Sequence, residues 1–261
     1  MPIIKTENGY IYKKNTKRTS LKHSFFLIGL FLICICVLVG SFFIFSKVDI
    51  TSALNLNRYL VFEEKTYYAV SLQSGESFSE VSSEVNEVKL KDGAGFVLQR
   101  EKKYYLIASC YSSAEDAQQV CSQIDSYDAH VVEIRFDRLI ISSNFDMNQI
   151  LLIKDSLNMV NKIFESLYNI VNMLDRGEIL NAEAQQKIQI FKETCREHKE
   201  SFAKCFQNNF ENIITRVKIF QSETISSLTM LSGSQNLSSD IKYAIMNNFY
   251  SFASLQNQLL K

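Results

Sequence analysis

The sequence predicts an α+β chain in three parts: an N-terminal transmembrane helix, a βαββαβ sheet domain, and a C-terminal tail of long helices forming an antiparallel coiled coil or bundle. Three observations carry this reading. Residues 24–46 are apolar without a charge, a Tyr-Tyr-led β-α-β pattern occurs twice within 66–140, and apolar residues recur at heptad spacing within 144–261. Lys+Arg and Asp+Glu both number 28, which argues against nucleic acid as a partner of the whole chain. One Pro and eight Gly exclude collagen-like and linker-dominated chains.

The first element is the run from Ser24 to Ser46, SFFLIGLFLICICVLVGSFFIFS. As a helix it reaches roughly 34 Å, enough to cross a hydrocarbon core of about 30 Å. A cleaved signal peptide has an apolar core of about 7–15 residues closed by small side chains; this run closes on Phe42, Phe43, Ile44 and Phe45. Segment 1–23 carries Lys5, Lys13, Lys14, Lys17, Arg18 and Lys22 against Glu7. It is therefore expected on the cytoplasmic side, which gives a single-pass cell-membrane protein whose residues 47–261 are extracytoplasmic. Residues 47–65 lack a strong period and read as a tether of at most roughly 70 Å.

The sheet domain follows from the repeat. One copy opens YYAVSLQ at 67–73 and the other YYLIASCY at 104–111. Each leads from a strand into a helix start with capping-box spacing, Ser77 with Glu80 and Ser112 with Glu115. The helices carry Phe78, Val81, Val85 and Val88, then Ala117, Val120, Cys121 and Ile124, at helical spacing. Strand candidates 95–100 and 130–136 close the two copies. The order is the split β-α-β pattern of a ferredoxin-like fold, a four-stranded antiparallel sheet with its helices on one face.

Strand alternation assigns the two faces. Tyr68, Val70, Leu72, Tyr104, Leu106, Ala108 and Cys110 are expected against the helices. Tyr67, Ala69, Ser71, Gln73, Tyr105, Ile107, Ser109 and Tyr111 are expected to point away from them. The outward Tyr residues suit a wet, half-apolar ligand platform. Equally, they are ordinary strand formers covered by the tail.

Stretch 67–136 resembles the SPOR (sporulation-related repeat) family. Val70-Ser71-Leu72 follows the outline of its first strand, with Ser71 where Gln is usual and Gln73 where Gly is usual. Tyr104 to Tyr111 and the Ala114–Ala117 segment follow its second repeat, with Ser-Cys-Tyr in place of Gly-Pro-Phe. The resemblance implies binding to peptidoglycan glycan strands that lack stem peptides, at division or sporulation septa. Carried over, the glycan-contacting residues are Tyr67, Ser71, Gln73, Tyr105 and Ile107, with Arg100 at the rim. The layout of basic segment, span, SPOR-like module and further exterior chain is also similar to that of the stage II sporulation protein B family of endospore formers.

The tail opens with Ile150, Ile153, Leu157, Val160, Phe164, Leu167, Val171 and Leu174, a seam of more than three heptads. Gly177 supplies a left-handed cap. A second helical stretch, 178–231, carries Ala184, Ile188, Phe191, Cys195, His198, Phe202 and Cys205, then shifts phase to Phe206, Phe210, Ile213, Val217 and Phe220. It is either one long helix flanked by its neighbours, or broken near 207–209 into a compact bundle, or part of a seam shared between chains. A third helix carries Ile241, Ile245, Phe249, Phe252, Leu255 and Leu259.

Catalytic signatures are missing: no GxSxG, HExxH, Walker or GxGxxG pattern occurs. Cys195 and His198, one turn apart, offer two zinc ligands where a structural site needs four, and read as polar positions in a helix core. Cys110 and Cys121 read as packing thiols, with a bond between them left open. The expected protein is therefore not an enzyme and uses no metal or cofactor. It is a membrane-anchored peptidoglycan-binding protein whose tail binds a division or sporulation partner or a second copy of itself. The alternative is an envelope scaffold whose SPOR-like module is a protein interface without glycan binding.

Overall fold

The computed structural model describes residues 4–6, 9–11, 59–142, 145–209 and 211–259. The predicted span at 24–46 and most of the basic segment and tether lie outside these residues; among the described ones, no helix is long and apolar enough to cross a membrane. Near the N-terminus, β1 (Ile4–Thr6) and β2 (Gly9–Ile11) form an antiparallel pair, with Ile4 opposite Ile11.

Residues 58–261 form one contact unit, and its architecture is α+β. The repeat folds as its pattern requires. Strands β4 (Lys65–Gly75), β5 (Phe96–Arg100), β6 (Lys103–Tyr111) and β7 (His130–Phe136) form an antiparallel sheet in the order β5-β6-β4-β7. Three short helices cover one face: α1 (Phe78–Ser82), α2 (Val85–Leu90) and α3 (Ala114–Cys121). Of the first predicted capping box the N-cap half is present, while the carboxylate reaches one residue further back, to Glu76 instead of the N-cap amide. Ser77 Oγ accepts from the Glu80 amide at 3.4 Å and donates to its carboxylate at 2.8 Å, while Glu80 Oε2 takes the Glu76 amide at 3.0 Å. The second cap sits one residue later than expected, because Ser113, not Ser112, accepts the Asp116 amide.

Like β1 and β2, two strand elements of this unit were not anticipated. β3 (Tyr59–Phe62), inside the expected tether, pairs antiparallel with β8 (Leu139–Ser142). Leu60, Phe62 and Leu139 are buried, and the Phe62 ring lies 4.9 Å from that of Phe252. The segment that charge balance suggested as a tether is thus partly core: Tyr-Leu-Val-Phe is too apolar to stay in water.

The tail is four helices, α4 (Met147–Asp175), α5 (Asn181–Cys205), α6 (Asn212–Met230) and α7 (Leu237–Leu259). The heptad seam of α4 is buried from Ile150 to Val171. Gly177 has φ +69°, and the Glu178 amide returns to the Met173 carbonyl at 2.8 Å, closing the helix as predicted. The 178–231 stretch is broken. Asn209 Oδ1 accepts the Glu211 amide at 2.8 Å, a local side-chain bond that competes with helix continuation. The phase shift from Cys205 to Phe206 marks the same point, and Phe206 is buried against Phe202 and Phe145. Short connections make successive helices antiparallel, and α7 closes against α4.

The start of α7 is fastened to the turn after α2. Asn236 Nδ2 donates to the Lys89 carbonyl, Ser239 Oγ to that of Gly93 at 2.7 Å, and Lys242 Nζ to that of Asp92 at 2.9 Å. Lys242 also pairs with Asp175 at the end of α4, at 2.7 Å. The turn needs its glycine: a Cβ on Gly93 would stand 2.5 Å from Val88 Cγ1.

Candidate functional site

The sheet has two apolar faces. Val70, Leu72 and Leu106 pack with Val81, Val88 and Ala117 beneath α1–α3, as alternation predicts. The opposite face, expected to be open, is filled by the tail. Tyr67 is 1% exposed, Ala69, Ser71 and Ile107 are 0%, and Tyr67, Ala69 and Ile107 share one cluster with Phe164 and Phe249. Around Tyr67 the ring centroids of Phe249, Phe164 and Phe136 lie at 4.4, 4.6 and 6.0 Å. Its hydroxyl donates to Asn161 Oδ1 on α4 at 2.7 Å. Burial, and then the Glu165 charge, push the Tyr67 phenol above its ordinary pKa. A side chain with every partner supplied by its own chain is a core residue.

The expected outward positions of Tyr67, Ser71 and Ile107 are therefore corrected. The sheet faces were assigned as alternation requires, but the tail occupies the face that points away from α1–α3. Ser71 Oγ turns back to the Gln73 carbonyl at 2.9 Å. Gln73 is not on the tail face; its Nε2 reaches the Glu80 carbonyl of α1 at 3.3 Å. Tyr105 lies on the tail face but is half-buried, its ring edge-on to His130 at 5.8 Å.

Two register shifts explain the slipped alternation. Between Val70 and Gln73 the β4–β6 pairing skips Ala108 on one strand and Leu72 on the other. Each bulge changes the phase of the strand beyond it and bends it. Cys110, expected beside α1–α3, consequently sits in the tail-side cluster, while Cys121 packs on the other face. A bond between them is ruled out by the sheet that separates them. Burial pushes both thiols above their ordinary pKa. Among the described residues no group of three metal-ligating side chains converges.

A side chain also links the two edge strands. Arg100, on β5, donates to the Glu133 carbonyl on β7 and pairs with Glu101 at 3.4 Å. Between that closure and α7 lies a cleft of about 480 Å³. Its floor includes Leu98, Phe136 and Phe249, and its rim Arg100, Tyr250 and Asn257. Arg135, also lining it, is held by Glu64 at 3.0 Å and Asp137 at 3.2 Å, so the mouth has no free cationic pair. Of the six residues expected to contact glycan, Arg100 alone lines this cleft. The α7 wall was missed, although Tyr243 and Tyr250 stand seven residues apart beside the buried stripe, a spacing that flags a second aromatic flank.

Fold and site together define an α+β unit in which a bent βαββαβ sheet and a four-helix bundle share one core, with a single-edged cleft between them. No family model matches the chain, and no curated protein and no solved structure is significantly similar to it.

Proposed function

We propose that the chain is a non-enzymatic, membrane-anchored envelope scaffold, in which the SPOR-like sheet is an interface for the protein's own helical tail. The anchor is the 24–46 run, with the basic segment on the cytoplasmic side. The observation that carries the scaffold reading is the burial of Tyr67 and Ile107 in one cluster with side chains of α4 and α7. A platform for sugar must offer its rings to water, and these are spent on Phe136, Phe164 and Phe249. The remaining outer surfaces of the bundle are then the places for a division or sporulation partner.

A second reading is favoured by the cleft. Arg100, the exposed Tyr250 ring, Gln99, Asn257 and Gln258 form an amide-rich wall of the kind that binds neutral polar ligands. On that reading, recognition of denuded glycan strands persists but has moved from the sheet face to its edge.

Cosedimentation of residues 58–261 with sacculi, before and after amidase strips the stem peptides, separates the two. The scaffold reading expects equal, low pelleting on both. Pelleting that rises on stripped sacculi and is lost in Tyr250→Ala replaces it with the second.

A further inference from the structure

The bundle interior carries a polar seam to which all four helices contribute. Ser156 of α4, Gln221 and Thr224 of α6, and Asn248 of α7 are at most 1% exposed, and His198 of α5 is half-buried beside Gln221. The direction of the hydrogen bonds is fixed step by step. Ser156 Oγ donates to the Leu152 carbonyl at 2.7 Å, which leaves it only lone pairs for Gln221. Gln221 Nε2 accordingly donates to Ser156 Oγ at 3.0 Å, and the same nitrogen faces His198 Nδ1 at 3.2 Å. His198 Nδ1 is thus the acceptor, and a neutral ring carries its proton on Nε2.

We propose that His198, Gln221 and Ser156 form an acid-sensitive joint that ties α4, α5 and α6 together at neutral pH and loosens when His198 takes up a second ring proton. That proton sets N–H against N–H at Nδ1. To relieve it, the Gln221 amide must rotate so that Oε1 accepts from His198. Its two amide hydrogens then turn to where Oε1 stands now, a buried position with no protein partner.

The charges around the ring agree. Burial holds His198 below its ordinary pKa, Lys162 of α4 pushes the same way, and Asp155 of α4 pushes back. From α6 the ring meets the uncharged Gln221, and on α5 the buried Cys195 thiol, one turn away, is raised to about 12 and stays neutral. The folded chain therefore holds this proton less tightly than the unfolded chain. The stability contributed by the neutral ring is complete above the unfolded value of about 6.5 and is lost as pH falls through the folded one.

The test is thermal unfolding of the full chain in detergent, followed by far-UV circular dichroism at about pH 7.5 and about pH 5. The joint is expected to contribute roughly 2–4 °C to the acid-induced fall in midpoint. His198→Leu removes that part, while His130→Asn keeps it. Gln221→Glu reverses its sign, because a carboxylate at this position accepts from protonated His198 and pairs with its charge. A wild-type acid shift retained in both His198→Leu and Gln221→Glu overturns the proposal. Where His198→Leu does not fold, the sign in Gln221→Glu decides alone.

Discussion

One face of the β5-β6-β4-β7 sheet is roofed by helices that lie between its own strands in sequence. The other is roofed by α4, which begins at Met147 soon after the last sheet strand ends at Phe136, and by α7, which does not begin until Leu237. The first roof is built from small residues, Val81, Val88 and Ala117 against Val70, Leu72 and Leu106. The second is aromatic, with Tyr67, Phe136, Phe164 and Phe249 in mutual ring contact. Local helices need only cap a face they were formed beside. A helix as distant in sequence as α7 incurs a somewhat greater loop-closure cost, and big rings bury ample area to offset it.

That contrast can be broken at its centre. Phe249→Ala, which strips the ring shared by three aromatic neighbours, is expected to cost about 3–5 kcal/mol in urea unfolding of residues 58–261. On the local face, Val81→Ala removes two methyl groups and is expected to cost about 2 kcal/mol. Equal losses from the two variants would mean that the faces do not differ as described. Tyr67→Phe keeps the ring and deletes the hydroxyl that donates to Asn161, leaving the Asn161 acceptor behind; about 1 kcal/mol is expected. A larger loss would put more of the interface in polar contacts than the ring packing suggests. Thiol labelling of the folded chain sharpens the comparison without touching stability. Among the described cysteines, exposed Cys205 should react first, Cys121 next, and buried Cys110 and Cys195 last. Early modification of Cys110 would expose the tail-side face to water.

Much of this arrangement was legible in residue order. The double Tyr-Tyr pattern, the Ser77–Glu80 cap, the α4 heptads and Gly177 each act within a few residues, where a sequence speaks directly. The break before α6 was one of several readings left open, and the Asn208-Asn209 pair with the phase shift at Phe206 resolves it. What stayed illegible was non-local. Alternation told which side of β4 faces away from α1–α3, but not whether Phe164 and Phe249 would return to cover it. The bulges at Leu72 and Ala108 moved Gln73 and Cys110 across the sheet, and no local motif marks them. Pairing of β3 with β8 joins residues roughly eighty positions apart, so the apolar run at Tyr59–Phe62 passed for a tether.

Sheet and bundle share one core, and the most direct measurement divides them. Residues 59–142 are produced without α4–α7 and unfolded in urea beside residues 58–261. The longer piece should unfold in one cooperative transition. The shorter one, with Tyr67, Ile107 and Phe136 facing water, should show none. A sharp transition in residues 59–142, with those side chains ordered and exposed, would contradict the shared core and restore the open platform.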